Sequence, residues 1–134
     1  MERELQYIEN LKSNESFFEE EFSRLENYYV LDSKDEIHDF VRENEGILVL
    51  LDAVKPFLDE YFSDAIYQLY MSYDHEIENE VKLVLLVKVN RERFHNGAYD
   101  DLRLISREIL PFRRKINVLW ELLIMAEVLN VWFF

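Results

Sequence analysis

The chain contains no cysteine, only two glycines and two prolines, and no long apolar run. The absence of cysteine excludes a disulfide framework, thiol catalysis and thiolate metal ligands. Two glycines cannot build a loop that holds phosphates, and the motifs GxGxxG, GxxxxGKS/T and GxSxG do not occur. No apolar run reaches the ~18 residues that span a bilayer, and the polar start of the chain is unlike a signal peptide. We therefore expect a cytoplasmic protein with no cofactor and no membrane partner.

Acidic and apolar residues are abundant instead. The 134 residues are 49% hydrophobic, which suffices for the core of a single domain over residues 1–134. The formal net charge is −13, which makes nucleic acid an unfavourable partner because phosphate backbones are repelled. Residues 1–62 hold 17 acids and 6 bases, whereas residues 91–115 hold 4 acids and 7 bases. This asymmetry either lets opposite ends of two molecules complement each other or reflects ordinary solvated helix faces.

The segment 65–90 predicts a β-hairpin. Every second residue is apolar from Ala65 to Tyr73 and again from Val81 to Val89. This period of two is the pattern of a β-strand. The residues between Asp74 and Glu80 are enough to reverse the chain.

The rest of the chain predicts mainly helices. Apolar residues with helical spacing predict helices over 2–12, 16–29, 34–43, 47–62 and 98–110. Ser16 and Ser33 each precede a glutamate by three residues, which is the spacing of a capping box. We expect Pro56 to kink or divide its helix and Pro111 to end the helix that starts near residue 98.

The segment 115–122 is ambiguous between strand and helix. Ile116, Val118, Trp120 and Leu122 alternate as in a strand, and a two-stranded hairpin alone is marginal in water. We therefore predict a third strand over 115–122, followed by a terminal helix or an apolar tail over 123–134. The predicted class is α+β, with N-terminal helices packed on a small three-stranded sheet.

A series of segments follows a recognisable order along the chain: 40–44, 48–51, 61–65, Leu69 followed by 74–76, 83–85 and 115–121. This order, over about residues 36–122, resembles that of a family of small prokaryotic α+β proteins that has no established activity. The resemblance implies a strand at 115–122 and implies no function. A crossover through helix 98–110 then makes the third strand parallel to the second, and we expect it beside the first, in the order 2-1-3.

Two groups of charged residues are candidate sites. The acidic residues Asp74, Glu76, Glu78 and Glu80 cluster in the hairpin connection and could hold a hard cation, although an acidic hairpin tip is the simpler interpretation. The basic residues Arg103, Arg107, Arg113, Arg114 and Lys115 form the best anion-facing patch, although an edge-of-sheet or salt-bridge role is the simpler interpretation. No catalytic or metal site is predicted, since His38, His75 and His95 are scattered without a zinc-binding motif.

The sequence favours a non-enzymatic module that binds another protein, because it predicts a core without a catalytic constellation. The alternative is a metal-dependent hydrolase or nucleotide-handling enzyme that uses Asp74 and Glu76. The apolar end of the chain predicts a homodimer with Leu129, Trp132, Phe133 and Phe134 in the interface, because so much aromatic surface is costly to leave in water. The alternative is that this tail packs on its own domain.

Overall fold

The computed structural model describes residues 2–74 and 80–129, and it confirms the α+β class. The helices are α1 (Glu2–Ser13), α2 (Glu15–Ser23), α3 (Lys34–Glu43), α4 (Gly46–Tyr61), α5 (Arg91–His95) and α6 (Ala98–Ile116), and a 3-10 turn follows α2 (Arg24–Asn27). The strands are β1 (Val30–Leu31), β2 (Ile66–Asp74), β3 (Glu80–Val89) and β4 (Leu122–Val128).

The described part of the chain forms one sheet of four strands in the order β1-β2-β3-β4. The predicted hairpin is confirmed, because β2 and β3 pair antiparallel from Ile66 with Lys88 to Asp74 with Glu80. The crossover also gives a parallel strand, as predicted, since β4 runs parallel to β3. The expected order 2-1-3 is wrong, because this last strand lies beside β3, and the short parallel strand β1 occupies the other side of β2.

The third strand of the prediction is displaced along the chain. Residues 115–122 were expected to form it, but α6 continues to Ile116 and the strand covers Leu122–Val128. Asn117 adopts a left-handed conformation, with φ of 55°, which ends the helix. A terminal helix over 123–134 is therefore wrong as far as Val128. Residues 130–134 lie outside the described residues.

Both prolines lie inside continuous helices. Pro111 does not end α6, and α4 is one helix that contains Pro56. A proline removes one N–H, so the carbonyl four residues earlier loses its helical donor. For Pro111 that carbonyl belongs to Arg107, and both residues are exposed, so water can bond to it.

The capping-box predictions are wrong in detail. Asn14, not Ser16, caps α2, because its side chain accepts the N–H of Phe17 at 3.0 Å. Ser33 does precede α3, but its backbone is left-handed and its side chain makes no capping hydrogen bond.

The helices and one face of the sheet share a single apolar core. The helix α4 is central to it, since Ile47, Leu50, Leu51, Val54 and Leu58 are fully buried. The sheet contributes Leu69, Leu83, Leu85, Val87, Leu122 and Ala126 to the same cluster. No helix among the described residues has the length and apolar character of a membrane span.

Candidate functional site

The free edge of the sheet at β4 is the most unusual surface of the described chain. The strand lies last in the sheet of the described residues, so among them it has a neighbouring strand only on the β3 side. Natural proteins usually protect such an edge by making it short, by adding lysine or proline, or by covering it. The opposite edge, β1, is only two residues long. By contrast, β4 has seven residues, no proline and a single charge, Glu127.

The backbone groups of β4 alternate in direction. The Leu83 N–H donates to the Glu121 carbonyl at 2.8 Å, and the Leu129 N–H donates to the Val89 carbonyl at 2.6 Å. Odd-numbered residues of β4 therefore direct their backbone groups toward β3, and even-numbered residues direct theirs outward. One of the outward carbonyls, that of Ala126, already accepts a hydrogen bond. Its donor is the hydroxyl of Tyr99 on α6, at 3.2 Å.

The side chains of β4 alternate as well. Leu122 and Ala126 are buried in the core, whereas Leu123 and Met125 point to the other side of the sheet and are 43% and 37% exposed. That other side carries no helix of the described chain, because every described helix packs against the core cluster on the first side. Val84 and Leu86 lie on the second side, and they are buried without belonging to the core cluster.

Exposed apolar side chains concentrate at this edge. Half of the ten large hydrophobic residues that are clearly exposed in the described chain lie on β4 or next to it. These five residues are Tyr99, Leu119, Trp120, Leu123 and Met125. Trp120 is the most exposed of them, at 75%. Aromatic residues and methionine at an exposed edge are typical of the surfaces that bind other proteins.

Arg113 fixes the loop that presents Trp120. Its guanidinium donates to the carbonyls of Val118, at 3.5 Å, and Leu119, at 3.2 Å. Burial lowers the pKa of Arg113, while the carboxylate of Glu121 opposes that shift. Arg113 was predicted in the anion-facing patch, and the structure instead directs it toward its own chain.

The other members of the basic patch remain on the surface. Arg103, Arg107 and Arg114 lie within about 40° of one another around the axis of α6, and Lys115 is exposed further round. Arg103 pairs with Asp100 at 3.2 Å. Anion binding by this patch stays a prediction.

The acidic cluster is only partly described. Asp74 and Glu80 pair directly at the end of the hairpin, and the Glu80 carboxylate lies 2.7 Å from Lys82. Glu76 and Glu78 lie outside the described residues, and so does His75. Within residues 2–74 and 80–129, no group of three or more histidine, aspartate or glutamate side chains could hold a metal ion.

The predicted dimer interface falls mostly beyond the described chain. Leu129 is half-buried and continues β4 through its bond to Val89. Trp132, Phe133 and Phe134 lie outside the described residues. The sequence did not single out β4 itself, because apolar residues on both of its sides hide the alternation that marks a strand.

No protein-family model matches the chain, and neither a curated protein nor a solved structure is similar enough to count as a match. The function is therefore argued from the geometry of the chain alone.

Proposed function

We propose that the protein is a non-enzymatic protein-interaction module, and that the free edge of β4 binds a second copy of the chain. The observation that supports this proposal is the long, apolar and nearly uncharged edge strand, beside which five exposed hydrophobic side chains collect. In the dimer the two β4 strands pair antiparallel across a two-fold axis. The two sheets then form one continuous sheet of eight strands.

The edge is suited to a copy of itself. A two-fold axis gives each strand the same bonding groups in reverse order, so every outward N–H meets an outward carbonyl. The strand segment from Leu122 to Val128 pairs over its whole length when Met125 lies on the axis. Residue 122 then faces residue 128 of the second copy, and residue 124 faces residue 126.

Charge selects this register over its neighbour. With Met125 on the axis, Glu127 faces Leu123 of the second copy. Moving the axis to Ile124 would place Glu127 opposite Glu121 of the second copy, twice in each dimer. Like charges directly opposite each other destabilise a strand pair, so the axis at Met125 is favoured over the axis at Ile124.

The hydrogen bond from Tyr99 does not prevent the pairing. A carbonyl oxygen has two lone pairs and can accept from Tyr99 and from a strand N–H together. Trp120 extends beyond the start of β4, where it can cover the last residues of the facing strand. Burying an aromatic side chain of this kind stabilises an interface by about 2 kcal/mol.

Light scattering across micromolar concentrations tests the assembly. We expect twice the 16.4 kDa of one chain. A Leu123→Glu variant should weaken the dimer roughly thirtyfold, because two cross-strand pairs worth about 1 kcal/mol each become repulsive next to Glu127. A Leu123→Lys variant should remain dimeric, since lysine faces that glutamate. Leu104→Glu is the matched control, because Leu104 is similarly exposed, at 39%, but lies on α6.

Cysteine cross-linking tests the register, and the natural chain has no cysteine to interfere. In this register Met125 faces itself as a non-hydrogen-bonded pair, with Cα atoms about 4.5 Å apart, which a disulfide can span. Met125→Cys should therefore cross-link under mild oxidation. Leu123→Cys and Glu127→Cys should cross-link only when the two variants are mixed. A monomeric mass at all concentrations, or a dimer that Met125→Cys fails to cross-link, would contradict the proposal.

A further inference from the structure

A second surface feature lies on the helical side of the molecule, away from β4. It is a cleft of about 610 Å³ between α1, α2, α4 and the last turns of α6. Its floor is mostly apolar and consists of Leu48, Val49, Ala53, Pro56, Phe57 and Phe112. Pockets that bind small molecules in proteins are typically about 300 to 1,000 Å³ and mostly apolar, with a few polar groups that set orientation.

One wall of the cleft is a fixed polar chain. The Tyr7 hydroxyl donates to Glu21 Oε1 at 2.8 Å, and Arg24 lies 3.0 Å from Glu21 Oε2. Burial, and then the bond to Glu21, raises the pKa of Tyr7, so its hydroxyl stays neutral. The charge of Arg24 is therefore already balanced by Glu21, and Tyr7 is held in place beside them.

Another part of the cleft lining, on α4, offers acceptors that are less occupied. Pro56 has no N–H, so the Asp52 carbonyl lacks its ordinary helical donor, and both residues line the cleft. The Asp52 carboxylate is 80% exposed, and its ion pair with Lys55 is long, at 3.5 Å. Lys55 also lies over the Tyr28 ring, at 5.4 Å from its centroid.

The acceptors at Asp52 and the charge of the whole chain decide the class of ligand. The lining itself is balanced, since three cations, Arg3, Arg24 and Lys55, and three acids, Glu4, Glu21 and Asp52, surround the cleft. The whole chain, however, carries a net charge of −13. A bound cation would find the Asp52 carboxylate and carbonyl together, and the field of the whole protein would attract it. We infer that the cleft binds an amphipathic organic cation, with its apolar body on the floor and its ammonium group at Asp52.

Three probes of equal length test this inference. Hexylamine, hexanoate and hexanol share one apolar body and differ only in charge, and each can be titrated into the ¹⁵N-labelled full chain while amide shifts are followed. We expect hexylamine to move the amides of the cleft, around Val49 to Phe57, and to bind at least about fivefold more tightly than hexanoate. Equal binding of all three probes would show an apolar cleft without preference for charge, and tighter binding of hexanoate would reverse the assignment. Either result, or no binding of hexylamine, overturns the proposal.

Variants separate the two parts of the site. Asp52→Asn should weaken hexylamine about threefold to fivefold and leave hexanol unchanged, because it removes an exposed charge and little volume. Asp64→Asn is the matched control: it removes the same charge from an exposed turn that does not line the cleft. Ala53→Phe should fill the cleft and abolish the binding of both hexylamine and hexanol. An Ala53→Phe chain that still binds hexylamine at the same amides would contradict a site in the cleft.

Discussion

His38 Nε2 lies 2.6 Å from Glu19 Oε1, and this contact joins α3 to α2. The imidazole also meets the rings of Phe18 and Phe22 edge-on, with centroids 5.4 Å and 5.0 Å away. The hydrogen bond with Glu19 raises the pKa of His38 above its ordinary 6.5, and a weaker contact with Asp39 adds to that shift. Glu19 and His38 line a shallow surface pocket, and Lys34 and Asp35 line it as well.

We predict that this contact stabilises the fold at low pH. A histidine pKa that is higher in the folded state gives stability that is fully present below the ordinary pKa of 6.5 and is lost as the pH rises through the folded value. Glu19→Gln should therefore lower the melting temperature more at pH 5.5 than at pH 8. Glu20→Gln removes the same charge from the neighbouring exposed position and should show no such difference. An equal effect of Glu19→Gln at both pH values would contradict the prediction.

A second prediction concerns Gly46, at the start of α4. A Cβ atom at this position would lie 2.8 Å from Val118 Cγ2, closer than packed carbon atoms can approach. Gly46→Ala should therefore destabilise the fold by about 1 to 3 kcal/mol in urea unfolding, although alanine is the better helix former. Adding Val118→Ala removes the clashing methyl group, so the double variant should be no less stable than Val118→Ala alone. Additive losses would show that Val118 is not the cause.

The proposed dimer should respond to salt in a definite direction. Two chains of net charge −13 repel each other, and the register proposed for β4 contains no ion pair between the copies. Raising the salt concentration shortens the Debye length from about 10 Å at 0.1 M and weakens that repulsion. We expect the dimer dissociation constant from sedimentation equilibrium to fall between 50 and 300 mM NaCl. A constant that rises with salt would indicate ion pairs across the interface instead.

The residues near the end of the chain show what could be predicted from sequence. The hairpin could be located because inward residues such as Leu69 and Val89 alternate with more polar ones such as Gln68 and Lys88. In β4 the outward residues Leu123 and Met125 are apolar too, because this side of the sheet carries no described helix. The period of two is lost there, and the strand resembles a helix or an apolar tail.

Other features left no usable signal. The strand β1 has only two residues, too few for any periodicity, so the prediction could not place it beside β2. Arg113 looks like its exposed neighbours in the sequence, and only the left-handed turn at Asn117 brings the carbonyls of the next loop to it. The polar chain of Tyr7, Glu21 and Arg24 joins two helices whose relative position no local pattern encodes.

The last prediction uses hydrogen exchange to observe the free edge without any substitution. Odd-numbered amides of β4 point toward β3, so they should exchange slowly at every protein concentration. Even-numbered amides point outward, so they should exchange quickly in dilute solution and become protected as the dimer forms. The outward amides are those of Leu122, Ile124, Ala126 and Val128.

The Leu123→Glu variant is the control for that experiment, because it should keep the even-numbered amides unprotected at concentrations where the natural chain protects them. Protection that rises equally at odd and even positions would reflect a general gain in stability rather than strand pairing. Even-numbered amides that stay fast at the highest concentration would contradict a dimer built on β4. Slow exchange at Leu123, Met125 and Glu127 in dilute solution is expected in either case, since those amides belong to the fold of one chain.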